Sequence, residues 1–133
     1  MADKLQFDLV SPEARVFSGE VDMVVVPGSE GDFGVLPGHA PFMSTIRTGS
    51  IEVHADGKIA RTFIHGGFAE VTPAGLTILA EEAVALDGAD AAAIRDRLEA
   101  ARLAARDAAD DTARALAEAE VEKLEALSAA LAH

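Results

Sequence analysis

The sequence predicts an α+β chain: an antiparallel β-sandwich or flattened barrel of about ten short strands, then an antiparallel two-helix hairpin. Three observations carry this. Short alternating or β-branched runs, separated by turn residues, fill positions 5–80. From Asp87 to His133, 18 of the 47 residues are alanine, and after Gly88 there is neither Gly nor Pro, which is strong helix composition. In that tail the apolar residues recur at helical spacing. The boundary follows from the change in composition: a β-sandwich domain at 1–86 and an α-helical hairpin domain at 87–133.

Taken in order, Leu5, Phe7 and Leu9 alternate with Gln6 and Asp8, the pattern of a half-buried strand. Ser11-Pro12 makes a turn, Arg15–Phe17 is a short strand, and Gly19 ends it. Val21 and Met23–Val26 form a β-branched run suited to a more buried strand. Phe42–Ile46 and Ile51–His54 follow. Asp56-Gly57 is a hairpin signal leading into Ile59–Ile64. Gly66-Gly67 breaks the chain, Phe68–Thr72 resumes it, and Pro73-Ala74-Gly75 turns it into Leu76–Ala80.

In the tail, Ile94, Leu98 and Ala101 mark one apolar stripe, and Leu116, Val121, Leu124, Leu127 and Leu131 mark another. The intervening Arg106–Thr112 has no large apolar residue, and Asp110 or Asp111 suits a helix N-cap. A hairpin broken near 107–111 is expected. The alternative is one helix of ~43 residues, about 65 Å long at 1.5 Å per residue.

The stretch Pro27–Pro41, PGSEGDFGVLPGHAP, is the most constrained in the chain. Three prolines and four glycines fix a set of turns around a small apolar plug of Phe33, Val35 and Leu36. It reads as a shaped loop with a short strand, projecting from the β-domain. A phosphate loop needs Lys and Ser/Thr after its glycines and opens a helix. Here acids stand instead and a strand follows, so a protein contact suits the stretch better than an anion.

Composition excludes several function classes. The chain has no cysteine, so it has no disulfide, thiol nucleophile or zinc-thiolate site. Its formal charge is −12 and its aromatics are all Phe, which argues against nucleic acid and anionic lipid surfaces. MADKLQFDLV is neither a secretory nor a transit leader, and no run is long enough to span a bilayer, so no direct lipid insertion is expected. His39, His54, His65 and His133 share no metal-ligand spacing. His39 reads as a turn or interface residue. No nucleophile elbow appears. We expect no catalytic residue, metal or cofactor. From the residues alone, a small-molecule-binding β-barrel with a helical lid stays open beside a protein-contact module, and an enzyme is the weakest reading.

Pro27-Gly28-Ser29-Glu30-Gly31 followed by Gly34–Pro41 resembles a signature of the epsilon subunit of bacterial F-type ATP synthases, the counterpart of the mitochondrial delta subunit. Gly66-Gly67-Phe68-Ala69-Glu70-Val71 is similar to that family's second signature, and Ser11-Pro12-Glu13 with Val16–Gly19 to its opening. Order and spacing agree over residues 5–86, and the tail agrees in length and type.

The resemblance implies a non-catalytic rotor subunit of the central stalk, linking gamma to the c-ring and coupling proton transport to ATP synthesis. It implies a peripheral place on the cytoplasmic side of the bacterial inner membrane. Ser29, Glu30, Gly31, Asp32 and Phe33 would touch the c-ring, and His39, Ala40 and Pro41 would touch gamma. The helices would transiently reach the alpha/beta head and regulate ATP hydrolysis. Many members bind ATP through Ile/Leu-Asp-x-x-Arg-Ala. Here Leu86-Asp87 is followed by Gly88-Ala89-Asp90, so an acid stands at the Arg position. The second helix holds Arg114 and Lys123 against Glu118, Glu120, Glu122 and Glu125, which suits a weak brake.

Overall fold

The computed structural model describes residues 3–13 and 15–132. The chain divides into two compact units, Met1–Asp87 and Gly88–His133.

Among the described residues the first unit holds eight strands: β1 (Leu5–Val10), β2 (Arg15–Val21), β3 (Met23–Gly28), β4 (Gly31–Val35), β5 (Phe42–Thr45), β6 (Gly49–Ala55), β7 (Lys58–Thr72) and β8 (Gly75–Ala85). They pair in the order β2-β1-β8-β7-β6-β3-β4, with β5 added on β7. The two long strands each serve twice. The first half of β7 pairs with β6 through Lys58–Ile64, and its second half pairs with β5 through Phe68–Val71. The first half of β8 likewise carries β1. The pairing therefore resolves into two faces that share β7 and β8, which is how eight strands build the sandwich where about ten short ones were expected.

Gly66-Gly67 does not end a strand. It creases one: φ is +71° and +133° at these residues, while the β7–β8 register runs through unbroken. A Cβ on Gly67 would lie 2.0 Å from the Leu79 carbonyl oxygen, so only glycine lets β8 approach here. β2 likewise continues past Gly19 to Val21, because it is an exposed edge strand held by β1 alone. One pairing departs from the antiparallel expectation. β1 runs parallel to β8, from Phe7 opposite Leu76 to Val10 opposite Leu79. Alternation sets which side chains face inward, and it carries no strand direction.

The alternation does set the core. Leu5, Phe7 and Leu9 of β1, Val24 and Val26 of β3, Ile51 of β6, Ile64, Ala69 and Val71 of β7, and Leu76 and Ile78 of β8 are all buried. Phe7 is wholly buried and stacks at a tilt on Phe17 of the edge strand, 5.5 Å between centroids. This filled interior does not favour the reading as a ligand-holding barrel.

The second unit is a pair of helices, α1 (Ala91–Arg106) and α2 (Asp111–Leu131). The break falls where the apolar stripe fails. The Asp90 side chain caps α1 by accepting from the Ala92 and Ala93 amides, and Asp110 caps α2 by accepting from Ala113 N–H at 2.7 Å. Ile94, Leu98 and Ala101 are buried on α1, and Leu124 and Leu127 on α2. Leu116 was expected in the second stripe, but it is 70% exposed. It lies in the second turn of α2, near the hairpin tip. Arg97 of α1 donates to Glu120 of α2 at 3.3 Å, as antiparallel helices allow.

Candidate functional site: the loop face of the sandwich

The Pro27–Pro41 stretch forms a β-hairpin and a turn. β3 runs to Gly28, Ser29-Glu30 reverse the chain, and β4 returns with Gly31 opposite Gly28. A Cβ on Gly28 would lie 2.7 Å from the Gly31 carbonyl oxygen and 2.8 Å from the Phe33 ring, so the reversal closes only over glycine. After β4 the chain turns at Pro37-Gly38, and the His39 amide donates to the Leu36 carbonyl at 3.1 Å. Of the expected plug, Val35 is buried and Phe33 packs against the core. Leu36 is instead 55% exposed, since it follows the last ladder residue and the turn lifts it outward.

The hairpin is buttressed by the strand beside it. Ser29 N–H donates to the Thr45 carbonyl at 3.0 Å, and the Thr45 hydroxyl donates to the Ser29 hydroxyl at 2.9 Å. Arg47 N–H donates to the Pro27 carbonyl at 3.0 Å, and the Arg47 guanidinium donates to the Asp32 carboxylate. Asp32 is thus neutralised within the chain. Glu30 has no ion-pair partner among the described residues. Of the two loop acids, Glu30 is the one left to meet an outside cation.

Ser29, Glu30, Gly31, Asp32 and Phe33 line one surface hollow together with Phe42–Thr45. His39, Ala40 and Pro41 line a second, with residues 4–6 and the β7–β8 turn at Val71–Gly75. Aromatic rings join the two. Phe33 meets Phe42 edge to face at 5.2 Å, and Phe42 lies 6.4 Å from the His39 ring. His39 Nδ1 donates to the Ala40 carbonyl at 2.7 Å, which pins its ring to the turn. Sequence reasoning missed Phe42 and Met43, which are 47% and 60% exposed. The available signal was two large apolar residues in succession on a strand, since alternation buries at most one of them.

The remaining histidines stand apart from this face. His65 Nδ1 lies 2.9 Å from the Thr48 hydroxyl, His54 Nε2 lies 3.2 Å from Glu52, and His133 is outside the described residues. Among the described residues no cluster of His, Asp and Glu is arranged to hold a metal ion, and no helix is long and apolar enough to cross a membrane. The face offers an acidic rim, an apolar floor and a rigid backbone, which are the parts of a protein-contact surface.

The family described as ATP synthase, Delta/Epsilon chain, beta-sandwich domain matches residues 4–86. The ATP synthase epsilon chain of Maricaulis maris is 62% identical over 133 residues, all of both chains. That of Parvibaculum lavamentivorans is 56% identical over 128 residues, 96% of this chain and 95% of the relative. Among solved structures, a chain of the Euglena gracilis mitochondrial ATP synthase, in its OSCP/F1/c-ring assembly, is similar with a TM-score of 0.77. It is 30% identical and covers 96% of this chain and 81% of its own. A chain from the central stalk and c-ring of the Tetrahymena thermophila mitochondrial ATP synthase shares the fold, with a TM-score of 0.63 at 9% identity over 98% of each chain.

Proposed function

The chain belongs to the family of ATP synthase delta and epsilon chains, and from that premise we propose how its parts serve the complex. It is a non-catalytic subunit of the F-type ATP synthase central stalk, part of the rotor of a membrane-bound complex that couples proton transport to ATP synthesis. In our reading the β-domain is the connector. Its Ser29–Phe33 loop meets the c-ring, and His39, Ala40 and Pro41 meet the gamma subunit. The helical hairpin reaches the alpha/beta head transiently, and the subunit sits peripherally on the cytoplasmic side of the bacterial inner membrane, held there by its partners.

The observation that carries this reading is the aromatic bridge Phe33–Phe42–His39. It ties the two loops into one rigid face, as a part transmitting torque between two partners requires. The charges fit as well. Glu30, with no ion-pair partner among the described residues, is suited to a basic residue in a polar loop of the ring, where a charge pair sets register more than affinity.

Disulfide trapping in the assembled enzyme tests it. Ser29→Cys should cross-link to cysteines placed in the polar loops of the c-ring, and His39→Cys to cysteines on gamma. Capture of gamma by position 29 and of the ring by position 39 would overturn the assignment.

A further inference from the structure

The sequence contains two Asp-Gly dipeptides, Asp56-Gly57 and Asp87-Gly88. In such a pair the backbone nitrogen of glycine can reach the carboxyl carbon of the preceding aspartate, because no Cβ blocks its approach. The structure gives the two pairs opposite surroundings.

Asp56-Gly57 is held. It is the two-residue turn between β6 and β7, closed by the pairing of Ala55 with Lys58. The Asp56 amide donates to Asp22 at 2.9 Å, and the Asp56 carboxylate lies 3.6 Å from the Lys4 ammonium. The ladder on either side holds the backbone of the turn in one conformation.

Asp87-Gly88 is loose by every one of these measures. One residue, Leu86, separates it from the end of β8, and one, Ala89, separates it from the Asp90 cap of α1. The nearest anchors are the Leu86 amide, which donates to the Arg61 carbonyl, and the Asp90 carbonyl, which accepts from Ile94 N–H. Between them, no described residue bonds to the Gly88 amide or pairs with the Asp87 carboxyl. Both residues are exposed, and among the described residues nothing lies within 4 Å of the position a Cβ on Gly88 would take. The nucleophile and the electrophile are adjacent, solvated and unrestrained.

We propose that Asp87-Gly88 is a site of aspartate isomerisation in the folded protein, and that Asp56-Gly57 is protected. The Gly88 nitrogen attacks Cγ of Asp87, the new C–N bond forms as the C–O bond breaks, and the amide proton leaves with the hydroxyl as water. The resulting five-membered imide is hydrolysed by water at either carbonyl. One opening restores aspartate. The other leaves isoaspartate, with the chain running through Cβ and Cγ and one carbon longer. The product carries a free α-carboxylate, the group that isoaspartate-specific carboxyl methyltransferases accept.

The full chain, aged in mildly acidic buffer at physiological temperature, tests this. Peptides are separated and fragmented by electron transfer, which distinguishes the two isobaric aspartates, and methyl transfer to the chain counts total isoaspartate. Isoaspartate should accumulate at residue 87 about tenfold faster than at residue 56, because the paired turn must first open locally and that opening costs free energy. In urea the two rates should converge, and Asp87→Glu should remove the signal at 87 from an otherwise folded chain. Equal accumulation at 56 and 87 in the folded chain would overturn the proposal. So would silence at 87 in a folded chain whose urea control reacts.

Discussion

The Phe33 and Phe42 rings meet edge to face, with 5.2 Å between centroids and 77° between planes. One ring belongs to the loop proposed for the c-ring, the other follows the turn proposed for gamma. Phe42→Ala should lower stability by about 1 kcal/mol, the usual value of such a pair. It should weaken association with gamma and the ring more than it weakens folding. Urea midpoints and co-purification with the stalk check both halves, and normal assembly of the variant would remove Phe42 from the contact.

Gly67 is where β7 creases under β8. A side chain there meets the Leu79 carbonyl oxygen at 2.0 Å and needs a φ of +133°. Gly67→Ala should therefore destabilise the β-domain by about 3 kcal/mol or more. Gly34→Ala is the control, since its Cβ would meet only the Met23 sulfur at 3.5 Å, an ordinary contact. If the two variants melt together, β8 can retreat and the crease is not fixed.

The core was legible in the sequence because alternation is a local signal: Leu5, Phe7 and Leu9 announce their inward face by spacing alone. The helix break was legible for the same reason, from a gap in the stripe and two capping acids. The crease at Gly66-Gly67 was not. A glycine pair reads as a break unless one knows that β8 crosses beside it, and that is a fact about residues more than ten positions away. The loop face was legible in its turns. Its apolar floor at Phe42 and Met43 was not, because exposure of a strand residue depends on which neighbours the fold leaves beside it. Arg47 was missed likewise, since its partner Asp32 is fifteen residues distant.

The Asp22 carboxylate is held below the usual carboxylate value, first by the hydrogen bond from Lys4 and next by the Asp56 backbone N–H. A carboxyl with a lower pKa folded than unfolded stabilises the fold above the unfolded value near pH 3.8 and loses that contribution as pH falls through the folded value. Lys4 is raised, chiefly by the same hydrogen bond. Its contribution is complete below its ordinary value of 10.5 and is lost as pH rises through the folded one. Asp22→Asn should thus lower the urea midpoint at neutral pH, with the gap to the parent closing in strong acid. The side chains are partly exposed, so added salt should narrow the gap as well. A gap independent of pH would show that the aspartate acts by shape and not by charge.

Asp90 stands where ATP-binding relatives are expected to carry arginine, and here it caps α1 by accepting from two backbone amides at 3.0 and 3.1 Å. Asp90→Ala should destabilise the helical unit by about 1 kcal/mol, read from the helical circular dichroism of the chain. Calorimetry on the parent chain should show no ATP binding tighter than millimolar. Micromolar affinity would mean that phosphate charge is met by bases other than one at position 90.

The second helix is poorly supplied with charge for a brake on hydrolysis. An extended hairpin that binds an acidic surface of the head needs cations to spare. Both bases of α2 between 112 and 131 are already engaged, Arg114 with Asp111 at 3.2 Å and Lys123 with Glu120 at 2.9 Å. Glu120 is further tied to Arg97 of α1, and its carboxyl is held below the usual value, first by the Lys123 hydrogen bond. Extending the hairpin would break the Arg97 pair and present a net acidic helix to the head. What is left for binding is apolar. Leu116 is exposed near the tip, while Leu124 and Leu127 are buried in the folded hairpin. Deleting residues 112–133 should therefore raise ATP hydrolysis by the intact enzyme about twofold or less, roughly 0.4 kcal/mol of coupling. Proton-driven synthesis should be preserved if, as proposed above, the β-domain makes the stalk contacts. A tenfold rise on deletion would show that the helix inhibits through its leucines despite its charge. The double variant Leu124→Ala and Leu127→Ala should then release hydrolysis as fully as the deletion does.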